Sequence, residues 1–369
     1  MKRLITGAAA RLWRRPPLTA DQLRALRPER ILVVRQHNQM GDMVCATPCF
    51  RAIAGAWPDA EVALVTAPVN HQVVAHNPHL DRILSFEQRL WRRPIALARF
   101  LGALRGFRPD LAIVLNSVSF SATSAYLALW SGAPLVIGGD GSPFGSRVSE
   151  AFSLRLPTSP DLDRHAIDHS LAPLAAVGIT TDDRSTVVVP SSAQDAEAAA
   201  LCDDLVGQGP FWALHPGAGK RQNVWPPERF ATVAAAVARR GVPVLVLHGP
   251  ADGREVAALS ARLTPSAGDA PVVVAPSLSV GTTAAIIARA DRFLCNDTGV
   301  MHVAGALGTP TVALFGPTDP ALWKPPGEQV IALRAPSRRD DPRGEEFGWM
   351  ETLDAGTVLA AWSELRVAG

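Results

Sequence analysis

From Ile31 onward, short apolar runs alternate with stretches whose apolar residues recur at helical spacing. Runs at 31–36 (ILVVRQ), 61–67 (EVALVTA), 82–86 (RILSF), 111–116 (LAIVLN) and 135–139 (LVIGG) read as strands. The second half repeats the rhythm at 211–217, 242–249, 271–275, 292–296 and 311–316, with helices expected near 227–240, 252–263, 279–290 and 299–307. Continuous Val, Ile and Leu runs separated by helices indicate parallel strands covered on both faces, so the fold class is a layered α/β. A chain of 369 residues exceeds one ordinary core, and two domains are expected. The polar, Ser- and Thr-rich stretch from Ile179 to Gln208 places their boundary, giving domains at 31–190 and 191–350. A last helical pattern, Ala355 to Leu365, occupies the tail at 351–369.

Composition narrows the partners. A net charge of +2 and a single tyrosine give neither the field nor the stacking platforms of a dedicated nucleic-acid binder. Cys45, Cys49, Cys202 and Cys295 form no CxxC pair and sit inside apolar or helical patterns, which reads as reduced, buried thiols in a cytoplasmic protein. No run approaches the roughly 20 apolar residues of a membrane span. Lys2 and Arg3 ahead of LITGAAA resemble the start of a signal peptide, but Arg11, Trp13, Arg14 and Arg15 follow too soon, so export is not expected.

Charge placement changes this picture in two places. Residues 1–30 form an arm with eight basic residues against two acids, Asp21 and Glu29. Residues 87–108 carry six arginines with Glu87 as the only acid, beside Trp91, Ile95, Leu97, Phe100, Leu101 and Leu104. Each reads either as a solvated face or as a peripheral contact with an anionic membrane surface.

Three loops carry the candidate chemistry. Asn296-Asp297-Thr298-Gly299 lies between a strand and a helix, so helix N-terminal amides would face a ligand and Gly299 would let it approach; an anion suits such a place. HPGAGKRQNVWPPERF, 215–230, offers small residues such as Gly217 for close backbone approach and two cations, Lys220 and Arg221. It is not a Walker loop, because Leu214 stands where the first glycine would be and Arg221 replaces Ser or Thr. Both loops fall at strand C-terminal ends, where open α/β sheets bind ligands. The third, HNQMGDMVCATP at 37–48, places Met40, Gly41 and Asp42 at a helix start. Asp42 is there either an N-cap or a carboxylate free to take a proton from a hydroxyl. Among the nine histidines, neither the His165/His169 pair nor the His71, His76 and His79 cluster finds partners at ligand spacing, so no metal is expected.

GDMV after a first strand, HPGAGK followed by WPPERF, and NDTGVMHVAGALGTPTVALFGPTDP together resemble glycosyltransferase family 9, the ADP-heptose:lipopolysaccharide heptosyltransferases and their relatives. The similarity runs in order from about Ile31 to Leu365. It implies a GT-B fold, two Rossmann-like domains facing across a cleft, with the C-terminal domain holding the nucleotide-sugar and the last helix returning to the N-terminal domain. On the residues that match, it implies Asp42 as catalytic base, with Gly41 and Met40 on the acceptor side. Asp297, Thr298, Gly299, Met301 and His302 would form the donor motif, Glu255 would bind ribose hydroxyls, and Lys220 or Arg221 would steady the departing diphosphate. One departure stands out: a Lys-Arg pair usually precedes the tryptophan, whereas Asn223 and Val224 precede Trp225. The resemblance further implies inverting transfer without metal or cofactor, a lipid-linked or glycan acceptor, and work at the inner face of the cytoplasmic membrane. A nucleotide-sugar epimerase on the same frame and a non-catalytic two-domain binding protein are the alternatives.

Overall fold

The structure, a computed structural model, describes residues 13–115, 119–159, 161–264, 266–337 and 348–365. Residues 1–12 of the basic arm and Asn116, the expected end of its strand, lie outside the described residues. Two compact units divide the chain, Met1–Thr186 and Val187–Gly369.

The first unit is a six-stranded sheet of β1 (Arg30–Arg35), β2 (Glu61–Thr66), β3 (Arg82–Ser85), β4 (Leu111–Val114), β5 (Leu135–Gly139) and β6 (Leu154–Leu156). The second holds β7 (Trp212–His215), β8 (Val244–Val246), β9 (Val272–Val274), β10 (Arg292–Asn296), β11 (Thr311–Phe315) and β12 (Val330–Arg334). Their orders are β3-β2-β1-β4-β5-β6 and β12-β11-β10-β7-β8-β9, with every pairing parallel. Numbered within its own unit, each sheet has the doubly wound order of a Rossmann fold, which opens a crevice where the order reverses. In the second unit that switch point lies between β7 and β10. The loops after those two strands are the Lys220 loop and the Asp297 turn, so topology alone brings them together.

The helices that matter below are α1 (Met40–Cys45), α2 (Pro94–Gly106), α3 (Ala122–Trp130), α4 (Pro227–Ala238), α5 (Gly253–Ser260), α6 (Gly299–Leu307) and α7 (Ala355–Glu364). The sequence pattern predicts one helix over 43–56, but the chain forms two, α1 and a second over Thr47–Ala56. Pro48 lacks the amide a continuous helix needs and sits instead in the first turn of the second. Pro94 likewise divides the basic segment into a short 3-10 turn, Gln88–Arg92, and α2. Two strands escaped the pattern, β6 and β12. Both lie at sheet edges, where one flank is half-solvated and the apolar run is short or broken.

The last helix, α7, packs into the core of the second unit. Val358 and Trp362 form its buried face, and the Trp362 ring meets Trp212 edge-on at 4.7 Å. Arg292 lies 4.6 Å over the Trp212 ring and donates to the Trp362 carbonyl at 2.9 Å, satisfying the open end of the helix.

Candidate active site

The centre of the second unit's site is Asn296, the last residue of β10 and fully buried. Its side-chain nitrogen donates to the carbonyls of Pro216 at 2.8 Å and Gly217 at 3.2 Å, and its oxygen accepts from the Trp225 amide at 3.0 Å. One amide thus holds both ends of the Lys220 loop against the strand that carries the Asp297 turn. Trp225, also fully buried, donates through its indole to the Leu353 carbonyl and stacks edge-on against Phe230 of α4.

Next to this staple, the Asn223 side chain donates to the Asp297 carboxylate at 2.9 Å. Burial pushes the Asp297 carboxyl up; Thr318, through a hydrogen bond, and the Lys220 ammonium pull against it. Lys220 is exposed, so its charge is free to meet a second anion. Arg221 is placed differently. It lines a cavity of about 470 Å³ with Gln222, Asp252 and Glu255, opposite Met350 and Glu351 of the returning chain. The two cations that sequence could not separate therefore serve different places: Lys220 acts on Asp297, Arg221 on the cavity that holds Glu255.

The helix α6 starts at Thr298, which makes no side-chain cap bond, so the first-turn amides have no side-chain partner from the capping position. Asp297 lies before that cap and spends its carboxylate on Asn223 and Thr318. Met301 is fully buried and its amide bonds the Thr298 carbonyl; His302 is buried 6.2 Å from the Trp323 ring. No part of the Met301 side chain reaches solvent, so in this structure it packs in the core beneath the turn. At Gly217 a Cβ would overlap the Asp252 carboxylate, so the missing side chain makes room for the protein's own acid. Burial would raise the Asp252 carboxyl, but His215 at 3.2 Å, the Gly249 amide at 2.7 Å and His248 outweigh it and hold the group below the usual carboxylate range.

In the first unit, Asp42 occupies the third position of α1, with Met40 and Gly41 before it. The N-cap is Gln39, which makes no cap bond, so the N-cap reading of Asp42 is corrected: the carboxylate sits in the first turn, where the helix dipole favours it. The backbone under it is held by Arg35, fully buried at the end of β1, which donates to the Asp42 carbonyl at 3.0 Å. His37 lies beside them, its Nε2 buried without a partner among the described residues and its main-chain carbonyl held by Asn70 at 2.5 Å. Burial, then the Arg35 charge, push the His37 imidazole down to about 4. The unfolded chain takes up this proton near pH 6.5 and the folded chain near 4, so stability should rise with pH across that window. Between pH 7 and pH 4.5 the loss is on the order of 2 kcal/mol. His37→Gln should flatten the pH dependence of the urea midpoint; an unchanged slope would remove His37 as its source.

The four cysteines are buried thiols outside any disulfide, with Cys49 pushed up to about 12 and Cys202 to about 11 by burial. They offer no thiolate for chemistry near neutral pH.

The profile of glycosyltransferase family 9 (heptosyltransferase) matches residues 97–347. The chain belongs to glycosyltransferase family 9. As a family 9 glycosyltransferase it is 22% identical over 335 residues to lipopolysaccharide heptosyltransferase 3 of Escherichia coli, covering 88% of this chain and 96% of the relative. A family 9 glycosyltransferase from Veillonella parvula superposes with a TM-score of 0.76 at 23% identity, covering 91% of this chain and 97% of the other. An E. coli heptosyltransferase solved with ADP-2-deoxy-2-fluoro heptose superposes with a TM-score of 0.64 at 20% identity, covering 91% and 99%. The fold of this family 9 enzyme is therefore GT-B. The matched segment contains the whole donor-side constellation, from Lys220 to His302, and begins after Asp42.

Sequence reasoning missed the two asparagines that organise the family 9 site. Asn296 and Asn223 read as turn residues, because a buried side-chain amide with three backbone partners has the same local sequence as an ordinary loop. The signal for Asn223 was present as the departure before Trp225: where a cation is usual, this chain puts a neutral donor on Asp297.

Proposed function

We propose that this enzyme is an inverting, metal-independent heptosyltransferase that moves heptose from ADP-heptose to a lipopolysaccharide-type acceptor at the inner face of the cytoplasmic membrane. The observation that carries the reading is the pairing of an anion-ready turn with two separated cations at one switch point, Asp297 and α6 beside Lys220, and Arg221 beside Glu255. The donor class follows the heptosyltransferase solved with an ADP-heptose analogue.

In this mechanism the Asp42 carboxylate takes the proton of an acceptor hydroxyl as its oxygen attacks the anomeric carbon. The bond from that carbon to the β-phosphate oxygen breaks, the configuration inverts, and ADP leaves with the bonding pair. Lys220 and the uncapped amides of α6 stabilise the charge that develops on the β-phosphate, the work a divalent cation does elsewhere. Among the described residues, no three His, Cys, Asp or Glu side chains come together to hold such a cation. Glu255, lining the cavity with Arg221, accepts the ribose hydroxyls, and Asp297 accepts from sugar hydroxyls.

A thermal-shift comparison of ADP, UDP, GDP and dTDP tests the donor. At a hundred times its Kd, ADP should stabilise the second unit by about 2.7 kcal/mol, a rise of roughly 5–10 °C, and the others by much less. Equal shifts from all four would defeat the ADP assignment. Asp297→Ala should remove the extra shift that ADP-heptose gives over ADP and also lower the unliganded transition, since the buried Asn223 amide and Thr318 lose their acceptor. An unchanged extra shift would take Asp297 out of the site.

A further inference from the structure

Both basic segments singled out by charge converge on one ring. Trp13, at the start of the described chain, packs edge-on against Trp130 of α3 at 5.7 Å, and Trp91 packs edge-on against the same ring at 5.6 Å. Trp91 also rests on Phe86, a fully buried core residue, at 5.4 Å. Trp91 is nonetheless 39% exposed, and Ile95, in the first turn of α2, is 71% exposed. These are two of the three large hydrophobic side chains that the described residues leave exposed, and they stand four residues apart.

The surroundings are cationic and nearly free of acids. Arg14, Arg92, Arg93 and Arg99 are exposed, and among the described residues none of them takes part in an ion pair. Glu87, the only acid of the segment, is paired with Arg89. Beyond Ile95 the exposed residues of α2 up to position 103 are Ala98, Arg99, Gly102 and Ala103. A solvated helix face ordinarily carries polar groups of both signs, and this one carries none but arginine. Arg93 caps the N-terminus of α2, where a cation opposes the helix dipole, so these charges do not serve the helix itself.

We propose that the Trp91–Ile95 edge, ringed by Arg14, Arg92, Arg93 and Arg99, is the surface by which the first unit docks on an anionic phospholipid bilayer. Trp91 and Ile95 enter the headgroup layer, the tryptophan being held rigid by Phe86 and Trp130, and the arginines lie among the phosphates. An acidic protein partner would match the charge but would not call for an exposed Trp and Ile beside small residues. This docking rests on no step of the transferase chemistry.

Co-sedimentation of the full chain with vesicles of phosphatidylglycerol and phosphatidylcholine in equal parts, against phosphatidylcholine alone, tests it without donor or acceptor. Binding should require phosphatidylglycerol and weaken with salt. The double variant Arg92→Gln, Arg93→Gln should lose about fivefold in partitioning per arginine. Ile95→Glu should lose at least as much while keeping the fold, because an acid in the first turn suits the helix dipole; its thermal transition checks this. Wild-type binding to neutral vesicles as strong as to anionic ones, no sedimentation with either, or variants that bind as wild type would each overturn the proposal.

Discussion

Asp42→Asn is expected to lower kcat by about 10²- to 10⁴-fold while leaving ADP-heptose affinity almost intact. The amide is isosteric, so α1 keeps its form, and the Arg35 bond to the backbone carbonyl at 42 is untouched. What disappears is the one function an amide cannot supply, acceptance of the hydroxyl proton as the new bond forms. The donor-side residues all belong to the second unit and Asp42 to the first, so a general base in this position predicts a kcat effect without a donor effect. Titration of the variant with ADP-heptose, alongside steady-state rates, separates the outcomes. A rate within threefold of wild type would end the general-base role, and a comparable loss of donor affinity would make Asp42 a binding residue.

The same residue shows how far sequence could go. Its candidate role came from the family resemblance, and its alternative, an N-cap, from spacing. Spacing was off by three positions because the helix begins at Met40, before the apolar periodicity that betrays it. The strands were legible for a physical reason: parallel strands buried on both faces must be continuous apolar runs, and β1, β4, β7 and β11 are. Edge strands need no such run, and β6 and β12 were missed. The packing of the last helix was not legible, since only the partner of Trp362, which is Trp212 and lies far off in sequence, reveals it. In the site, charged residues were found because charge in a glycine-rich loop is conspicuous. The neutral groups that position them were not, and the reason given for Gly217 was incomplete, because the acid that needs its space lies on another loop.

That contrast gives the second large effect. Asn296→Leu should destabilise the second unit by about 3–5 kcal/mol, more than any exposed charge could, and abolish donor binding under conditions where the variant is still folded. Leucine has as many side-chain heavy atoms as asparagine and is the bulkier of the two, so no cavity opens at this fully buried position. The cost is polar: the Pro216 and Gly217 carbonyls and the Trp225 amide all lose their partner at once, in a place water does not reach. Without that staple the Lys220 loop has no fixed relation to the Asp297 turn, and the cation and the helix N-terminus no longer meet one phosphate. Asn296→Asp is the informative companion, because it keeps the acceptor for Trp225 and turns the donor into an anion facing two carbonyls. It should be destabilised as strongly at neutral pH and partly recover as the carboxyl is protonated on acidification, read as a shallower gap from wild type in urea midpoint. If Asn296→Leu unfolds at the wild-type midpoint, or retains the ADP-induced shift, the two loops are held by something other than this side chain.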